Sequence, residues 1–281
     1  MCAAASFRTA SSGSAPIPCP PALFPAFHAP ATEMFSLSVH DAFRAHAIAC
    51  FPAEACGLVV RRADGDVFVP CVNISTSPIW EFEIALEDYL AAEASGEVVA
   101  LLHSHVPTDA FPATGMPHPS KTDMQLQVDL GIACGLSLAS ADSCSTPIYW
   151  GDQTPMRDLI GRPYVYGIWD CYSLVRDYYR SRAVRPVTLP VYPRDDDWWD
   201  NGEDLYTKFF AEAGFRQIPA DQVRAGDAVV MRVRTRVPNH AGVVLENGLL
   251  LHHLYRELSK REPIGRWSQL ATYWLRHEVD L

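Results

Sequence analysis

Near the end of the chain, the pair Asn247-Gly248 separates two short apolar segments that each carry a histidine. Asn-Gly between two such runs is a strong signal for a two-residue hairpin turn. The pattern predicts antiparallel strands at residues 240–246 and 249–253. The turn then brings His240 and His252 onto neighbouring strands.

Upstream of that hairpin, a cysteine opens a helical pattern in the run Trp169-Asp-Cys-Tyr-Ser-Leu-Val175. Because the thiolate attacks and the thiol does not, a catalytic cysteine needs a base and benefits from the positive end of a helix. Taken singly, Cys171 could be a small buried hydrophobe, and His240 and His252 could be satisfied core histidines. As an ordered set they predict a nucleophile with its base. His253 points to the opposite face of its strand and is the weaker candidate.

This order resembles the NlpC superfamily of cell-wall cysteine peptidases over about residues 157–281. The resemblance implies a papain-like α+β domain in which Cys171 is the nucleophile, His240 the general base and His252 the polar third residue. Tyr164 matches an aromatic hydroxyl upstream of the nucleophile. In acyl transfer, the backbone N–H of Cys171 would hold the oxyanion, helped by the Tyr164 hydroxyl. No cofactor is expected for this domain.

A second constellation lies in the first half of the chain. A buried-strand pattern ends in His103-Ser-His105, and the i, i+2 spacing places both imidazoles on one side of the strand. Asp123, at the start of an amphipathic helical stretch, could complete a two-histidine, one-carboxylate zinc site with water in the fourth position. Ser120 and Asp123 are also a serviceable helix capping box, which would be favoured with no metal present.

The order of these motifs resembles that of the JAMM metalloprotease family. A glutamate comes first, then a His-x-His at a strand end, and then a Ser-x-x-Asp at a helix start. The resemblance spans about residues 35–150 and implies a mixed α/β sandwich that binds Zn²⁺. By match, the zinc ligands are His103, His105 and Asp123, Glu54 polarises the water, and Ser120 helps to hold the oxyanion. The loop before the helix adds His118 as a further candidate ligand.

A JAMM-like domain followed by an NlpC-like domain is similar to a family of tail-tip assembly proteins of lambda-like bacteriophages. The resemblance covers nearly everything after Met34. It implies a tail-tip component, made in the host cytoplasm, whose cysteine endopeptidase cuts peptidoglycan peptide crosslinks at the host cell wall or periplasm during entry or tail assembly. The implied partners are other tail-tip proteins. The alternatives are a processing peptidase of another tail protein and a structural tail-tip module in which one or both sites are inactive.

Composition limits the other classes of function. A chain of 281 residues with 48% hydrophobic residues suits two compact domains. The formal net charge of −10 argues against nucleic-acid binding. The sequence contains no apolar run of about 18 residues, so stable membrane insertion is not expected. The eight cysteines form neither a compact framework nor a CxxC pair, which favours folding in a reducing cytoplasm.

The coarse organisation is an Ala/Pro/Ser-rich tail at residues 1–34, a JAMM-like domain at 35–150 and an NlpC-type domain at 157–281. The tail is expected to be mobile or to precede the true start at Met34. Residues 141–157 are predicted to be a linker or an interdomain loop. A polar insertion, Arg185–Glu203, carries Trp198 and Trp199, which either cover the core or stack against a glycan or peptide. Further predicted elements are helices at 38–50, 84–94 and from 120, strands at 57–62, 66–72, 97–103 and 227–232, and an apolar segment near 132–140.

Overall fold

The computed structural model describes residues 34–107 and 116–281, so the predicted tail lies outside the described residues. Residues Met34–Leu281 form one compact unit that contains two β-sheets. Within the described residues, no helix is long and apolar enough to cross a membrane.

The first sheet has five strands in the order β2-β1-β3-β4-β5. Its strands β3 and β4 are parallel, and the other neighbouring strands are antiparallel. The elements of this half are α1 (Leu37–Cys50), β1 (Cys56–Arg62), β2 (Gly65–Cys71), α2 (Leu86–Ser95), β3 (Glu97–His105), α3 (Lys121–Leu130), β4 (Ala133–Leu138) and β5 (Ile148–Trp150).

Helices cover both faces of this sheet. On β1, Val59 packs with the α1 side of the core, whereas Leu58 and Val60 belong to the α2 side. Successive strand residues point to opposite faces, so a strand covered on both faces is a continuous apolar run. The mixed α/β sandwich is therefore confirmed, and the predicted helices and strands of this half are present. The linker prediction for residues 141–157 is partly wrong, because β5 lies inside that segment and pairs with β4.

The second sheet has six strands in the order β10-β9-β8-β7-β11-β6, and all of its pairs are antiparallel. The elements of this half are α4 (Cys171–Arg180), α5 (Leu205–Phe209), β6 (Phe215–Gln217), β7 (Ala228–Met231), β8 (His240–Leu245), β9 (Leu249–His252), β10 (Lys260–Pro263), α6 (Gly265–Ser268) and β11 (Ala271–His277). The predicted hairpin is β8–β9, and its turn has Asn247 and Gly248 at φ values of 60° and 67°.

The helix α4 packs its apolar side, formed by Leu174, Val175 and Tyr179, on the second sheet. The polar insertion before α5 folds back over the same region. Its Trp198 is buried in a cluster with Tyr166, which excludes a stacking platform at that indole and matches the core-covering alternative.

The two halves touch between α3 and the segment that precedes α4. The Met124 side chain on α3 packs with Tyr166, and a Cβ at the neighbouring Gly167 would overlap the Met124 methyl group. The insertion adds a polar link, since Lys121 Nζ lies 3.2 Å from a carboxylate oxygen of Asp195. The start of α3 and the approach to α4 are therefore held against each other.

Candidate functional sites

The first residue of α4 is Cys171, as the sequence predicts. Asp170 is the N-cap residue, and its carboxylate accepts hydrogen bonds from the backbone N–H groups of Ser173 and Gly167, both at 2.9 Å. An N-cap carboxylate satisfies amides that have no partner inside the helix. The thiol is thus fixed at the helix end where the backbone N–H groups, and with them partial positive charge, point outward.

The two histidines of the hairpin lie side by side. His240 begins β8 and His252 ends β9, where its pairing partner is Gly242. The Nε2 atom of His240 lies 3.0 Å from Nδ1 of His252. A Cβ at residue 242 would lie 3.1 Å from the Cβ of His252 and 2.8 Å from the Leu251 carbonyl oxygen. Glycine at this position therefore leaves room for the close approach of the two strands.

A carboxylate that sequence analysis missed extends this contact. Glu262 lies on β10, diagonally across from His252, and its Oε1 is 2.9 Å from His252 Nε2. The indole N–H of Trp267 donates to the same oxygen at 3.0 Å. Burial alone would raise the pKa of Glu262. The hydrogen bond from His252 and the neighbouring cations outweigh burial, so the pKa is lowered. The structure therefore contains a line of hydrogen bonds, His240–His252–Glu262.

Two tyrosines flank the thiol. Tyr206, on α5, has its hydroxyl oxygen 3.3 Å from Cys171 Sγ, and sequence analysis missed it. The predicted Tyr164 packs its ring against those of His253 and Tyr255, with centroids 5.3 and 5.2 Å apart. Tyr164 is also close enough to Cys171 for their charges to interact. The described residues show no hydrogen bond between Cys171 and either histidine of the hairpin.

Burial governs the ionisation of the thiol and of its predicted base. It raises the pKa of Cys171, and the Asp170 carboxylate adds to that effect. It lowers the pKa of His240 to about 3, helped by the nearby His252 and His253. Thiol and imidazole are therefore both neutral in the resting site. An attack by this thiol would therefore require its proton to move to a base.

The predicted metal ligands converge in the first half. The side chains of His103, His105 and Asp123 offer one ligand atom each, all within 4.8 Å of one another. His103 Nε2 lies 3.3 Å from Asp123 Oδ1, and His105 Nε2 lies 3.2 Å from Asp123 Oδ2. Zinc–ligand bonds of about 2.0–2.1 Å in a tetrahedron place neighbouring ligand atoms about 3.3 Å apart. The donor set fits a zinc ion, and each histidine nitrogen lies at about that distance from one oxygen of Asp123.

The condition of the His103 side chain supports the same fit. The residue is buried, and among the residues that the structure describes neither ring nitrogen has a hydrogen-bond partner with good geometry, although Nε2 lies 3.3 Å from Asp123 Oδ1. A buried polar atom without a partner is costly, so such atoms require an explanation. Burial opposes ionisation of Asp123, but the adjacent His103 and His105 outweigh it and hold the pKa of the carboxyl well below its usual range.

Glu54 lies at the edge of this cluster, immediately before β1. One of its carboxylate oxygens is 3.8 Å from His105 Nε2, and burial raises the pKa of Glu54 to about 8. Its position is fixed because Ser104, between the two histidines, exchanges hydrogen bonds with the backbone of Ala55. A carboxyl with that pKa is mostly protonated at pH 7, so Glu54 can accept a proton only where a neighbouring cation stabilises its ionised form.

Ser120 forms the predicted capping box. Its Oγ accepts from the Asp123 N–H at 3.1 Å and donates to Asp123 Oδ2 at 2.8 Å. Its hydroxyl is thus engaged with a predicted ligand. His118 is not among the clustered ligand atoms, and its Nε2 lies 4.0 Å from Asp196 of the insertion.

Comparisons with family models match both halves. Residues 36–145 match the prokaryotic homologs of the JAB domain, and residues 161–277 match the NlpC/P60 family. The fold and the sites thus define a two-domain α+β protein in which a JAB-type domain precedes an NlpC/P60 domain.

Two relatives match this chain along most of their own length. The tail tip assembly protein K of Escherichia phage N15 is 36% identical over 239 residues, which cover 83% of this chain and 90% of the relative. The protein of the same name in Escherichia phage lambda is 35% identical over 194 residues, which cover 69% and 88%. The chain belongs to the tail tip assembly protein K family.

A solved NlpC/P60 family protein from Bacillus cereus aligns with 86% of this chain and 67% of its own, at 9% identity and a TM-score of 0.31.

Proposed function

We propose that the second domain, residues 157–281, is a cysteine endopeptidase that cleaves peptide crosslinks of peptidoglycan during phage entry or tail assembly. The observation that carries the proposal is the line His240–His252–Glu262 in a domain where Cys171 opens α4, the helix that packs against β8, the strand that His240 begins. A nucleophile, a base and a residue that orients the base are what acyl transfer by a cysteine requires.

The hydrogen-bond line determines the tautomer of each imidazole. The ionised Glu262 can only accept, so His252 carries its proton on Nε2 and offers a lone pair at Nδ1. His240 therefore carries its proton on Nε2, which donates to His252. The lone pair of His240 is then on Nδ1, and this is the nitrogen that takes the proton of Cys171.

The reaction then follows from these roles. The Cys171 sulfur attacks the carbonyl carbon of the substrate as His240 takes the thiol proton. The developing oxyanion accepts a hydrogen bond from the backbone N–H of Cys171 and a second one from the Tyr164 hydroxyl. His240 returns the proton to the leaving amine, and a thioester remains on Cys171. Water, deprotonated by His240, hydrolyses the thioester and restores the thiol.

For the first domain, residues 35–150, we propose zinc binding by His103, His105 and Asp123. A bound zinc ion would supply a Lewis acid that lowers the pKa of a bound water. Glu54 would accept a proton beside it, and the Ser120 hydroxyl, which donates to Asp123 in this structure, would turn to donate to the oxyanion. The separation of the ligand atoms supports this proposal.

A second candidate function is the processing of another tail protein. Membership of a tail tip assembly family favours it, because such a protein meets other tail components during assembly. In both cases, we expect the protein to be made in the host cytoplasm and to reside at the virion tail tip. The wall-cleaving function places its action at the host cell wall or periplasm.

Purified, crosslinked muropeptides test the leading proposal. The wild type should release new peptide amines, detected by mass spectrometry of the products. The Cys171→Ala variant should release none, while Cys50→Ala, a matched loss of another half-buried cysteine, should behave as the wild type. If the wild type leaves muropeptides intact but cleaves a co-expressed tail protein in a Cys171-dependent way, processing replaces wall cleavage. If it cleaves neither, both peptidase proposals fail.

A further inference from the structure

The Cys171 thiol has one neighbour that the roles above do not use, the hydroxyl of Tyr206. The oxygen lies 3.3 Å from Sγ, within the range of a hydrogen bond to sulfur. Among the residues that the structure describes, Cys171 Sγ is the hydrogen-bond partner of the Tyr206 hydroxyl. Tyr206 is on the short helix that follows the polar insertion, 35 residues beyond the cysteine.

Aromatic and apolar side chains hold the Tyr206 ring in place. Its centroid lies 5.8 Å from that of the buried Trp198 and 6.4 Å from that of Tyr172 on α4. Tyr206 also lines an apolar cavity whose walls include Phe209 and Ala241. Burial raises the pKa of Tyr206 well above its usual value. The hydroxyl therefore keeps its proton and is able to donate it in a hydrogen bond.

The insertion is anchored to the nucleophile helix. The guanidinium of Arg194 forms an ion pair with Asp170, the N-cap of α4, and both side chains are buried. Arg194 also donates to the Tyr192 carbonyl oxygen at 2.9 Å, and the Tyr192 ring stacks on Phe209 of α5 with centroids 4.4 Å apart. A continuous set of contacts thus connects the start of α4 to the helix that carries Tyr206.

A thiolate at this position needs hydrogen-bond donors. Burial and the Asp170 carboxylate both disfavour the charged sulfur, whereas Tyr206, the backbone of Ala241 and the Arg194 cation favour it. His240 gives little help before the proton moves, because its imidazole is neutral in the resting site. Hydrogen bonds to a charged group contribute more to stability than those between neutral groups.

We infer that Tyr206 is a further catalytic residue, whose hydroxyl donates a hydrogen bond to the Cys171 sulfur as it becomes a thiolate. The inference rests on the proposed role of Cys171 as the nucleophile. It assigns the helix after the insertion to the active site, and it gives Tyr206, which contacts the sulfur, a role different from the oxyanion role proposed for Tyr164.

The test measures ionisation of Cys171 without any peptide substrate. Full-length wild type, Tyr206→Phe and Tyr273→Phe are treated with iodoacetamide between pH 6 and pH 11. Alkylation is followed by mass spectrometry of the tryptic peptide 158–176, in which Cys171 is the sole cysteine. Tyr273→Phe is the matched control, because its hydroxyl contacts Thr207 of the same helix at 3.1 Å and not the thiol.

Loss of a hydrogen bond to a charged group should raise the midpoint pH of alkylation by about one to two units in Tyr206→Phe. Below both midpoints, this corresponds to about 10- to 100-fold slower labelling. Tyr273→Phe should match the wild type. An unchanged or lower midpoint in Tyr206→Phe overturns the inference. Faster labelling at every pH also overturns it, because that result would mean that Tyr206 only restricts access of the reagent to the thiol.

Tyr206→Leu, which also lacks the hydroxyl, replaces the phenylalanine variant if that variant does not fold. Because labelling needs no substrate, a protein that cleaves no muropeptide still gives a midpoint. Failure of the proposed function is therefore distinguishable from failure of this inference.

Discussion

Replacing Arg194 with methionine should destabilise the second domain markedly. The Arg194 and Asp170 side chains are only 8% and 3% exposed, and the substitution leaves the carboxylate buried without its cation. Removing one partner of a buried ion pair costs about 3–5 kcal/mol. Asp170 keeps its hydrogen bonds from Ser173 and Gly167, so we expect the lower end of that range, about 3 kcal/mol, at pH 7.

The assay is urea unfolding followed by tryptophan fluorescence, with Arg61→Met as the matched control. Arg61 pairs with Asp66 at 3.1 Å while 55% exposed, and exposed pairs contribute about 0–1 kcal/mol. A loss below about 1 kcal/mol in Arg194→Met, or one no larger than in the control, would refute the reasoning.

The loss should also depend on pH. In the wild type, burial would raise the pKa of Asp170, but Arg194 and backbone hydrogen bonds outweigh it and lower that pKa. The contribution of a carboxylate with a lowered pKa is present above its unfolded-state value of about 3.9 and is lost as the pH falls through the folded-state value. Without Arg194 the carboxyl should take up its proton at a higher pH, which relieves the buried charge. The difference in unfolding free energy should therefore narrow between pH 7 and pH 4.

Three further changes have defined outcomes. Gly167→Ala should lower the free energy of unfolding by about 1–2 kcal/mol in urea titrations, because residue 167 has a φ of 74° and a Cβ would overlap the Met124 methyl; an unchanged free energy would contradict the packing described. Ser120→Ala should lower the free energy of unfolding by about 1 kcal/mol, because the helix cap is lost, and elemental analysis should still find bound zinc. Loss of the metal would show that the hydroxyl is needed to hold the ligand set. Glu262→Ala should reduce kcat on crosslinked muropeptides roughly 10- to 100-fold, since the hydrogen bond to His252 is charge-assisted; an unchanged kcat in a folded variant would remove Glu262 from the mechanism.

The sequence predicts those parts of the two sites that depend on local geometry. His240 and His252 are joined by a tight turn, so their approach follows from the turn signal and the strand period. The i, i+2 spacing likewise predicts that His103 and His105 face the same side of β3. Those two predictions concern residues at most twelve positions apart.

The residues that were missed depend on contacts between distant segments. Glu262 is part of Lys-Arg-Glu-Pro, which has no apolar alternation, and it reaches His252 because of the register of β10 on β9. Tyr206 meets Cys171 only because the insertion folds back over α4. The strand β5 is three residues long, too short for a periodic signal, and it was predicted as linker.

At the start of α3, two alternatives from the sequence turn out to be compatible. The Ser120 capping box is formed, and it uses Oδ2 of Asp123. The other carboxylate oxygen, Oδ1, faces His103. One side chain therefore begins a helix and joins the ligand cluster, so a capping signal alone does not argue against a metal site.

The most direct test measures zinc content and hydrolysis of peptidoglycan sacculi on the same purified samples of wild type, Cys171→Ala and His103→Ala. The wild type should contain zinc and release peptides, Cys171→Ala should keep zinc and release none, and His103→Ala should lose zinc and still release peptides. Release by Cys171→Ala at the wild-type rate, with a control enzyme confirming that the sacculi can be cut, would contradict the assignment of Cys171 as the nucleophile.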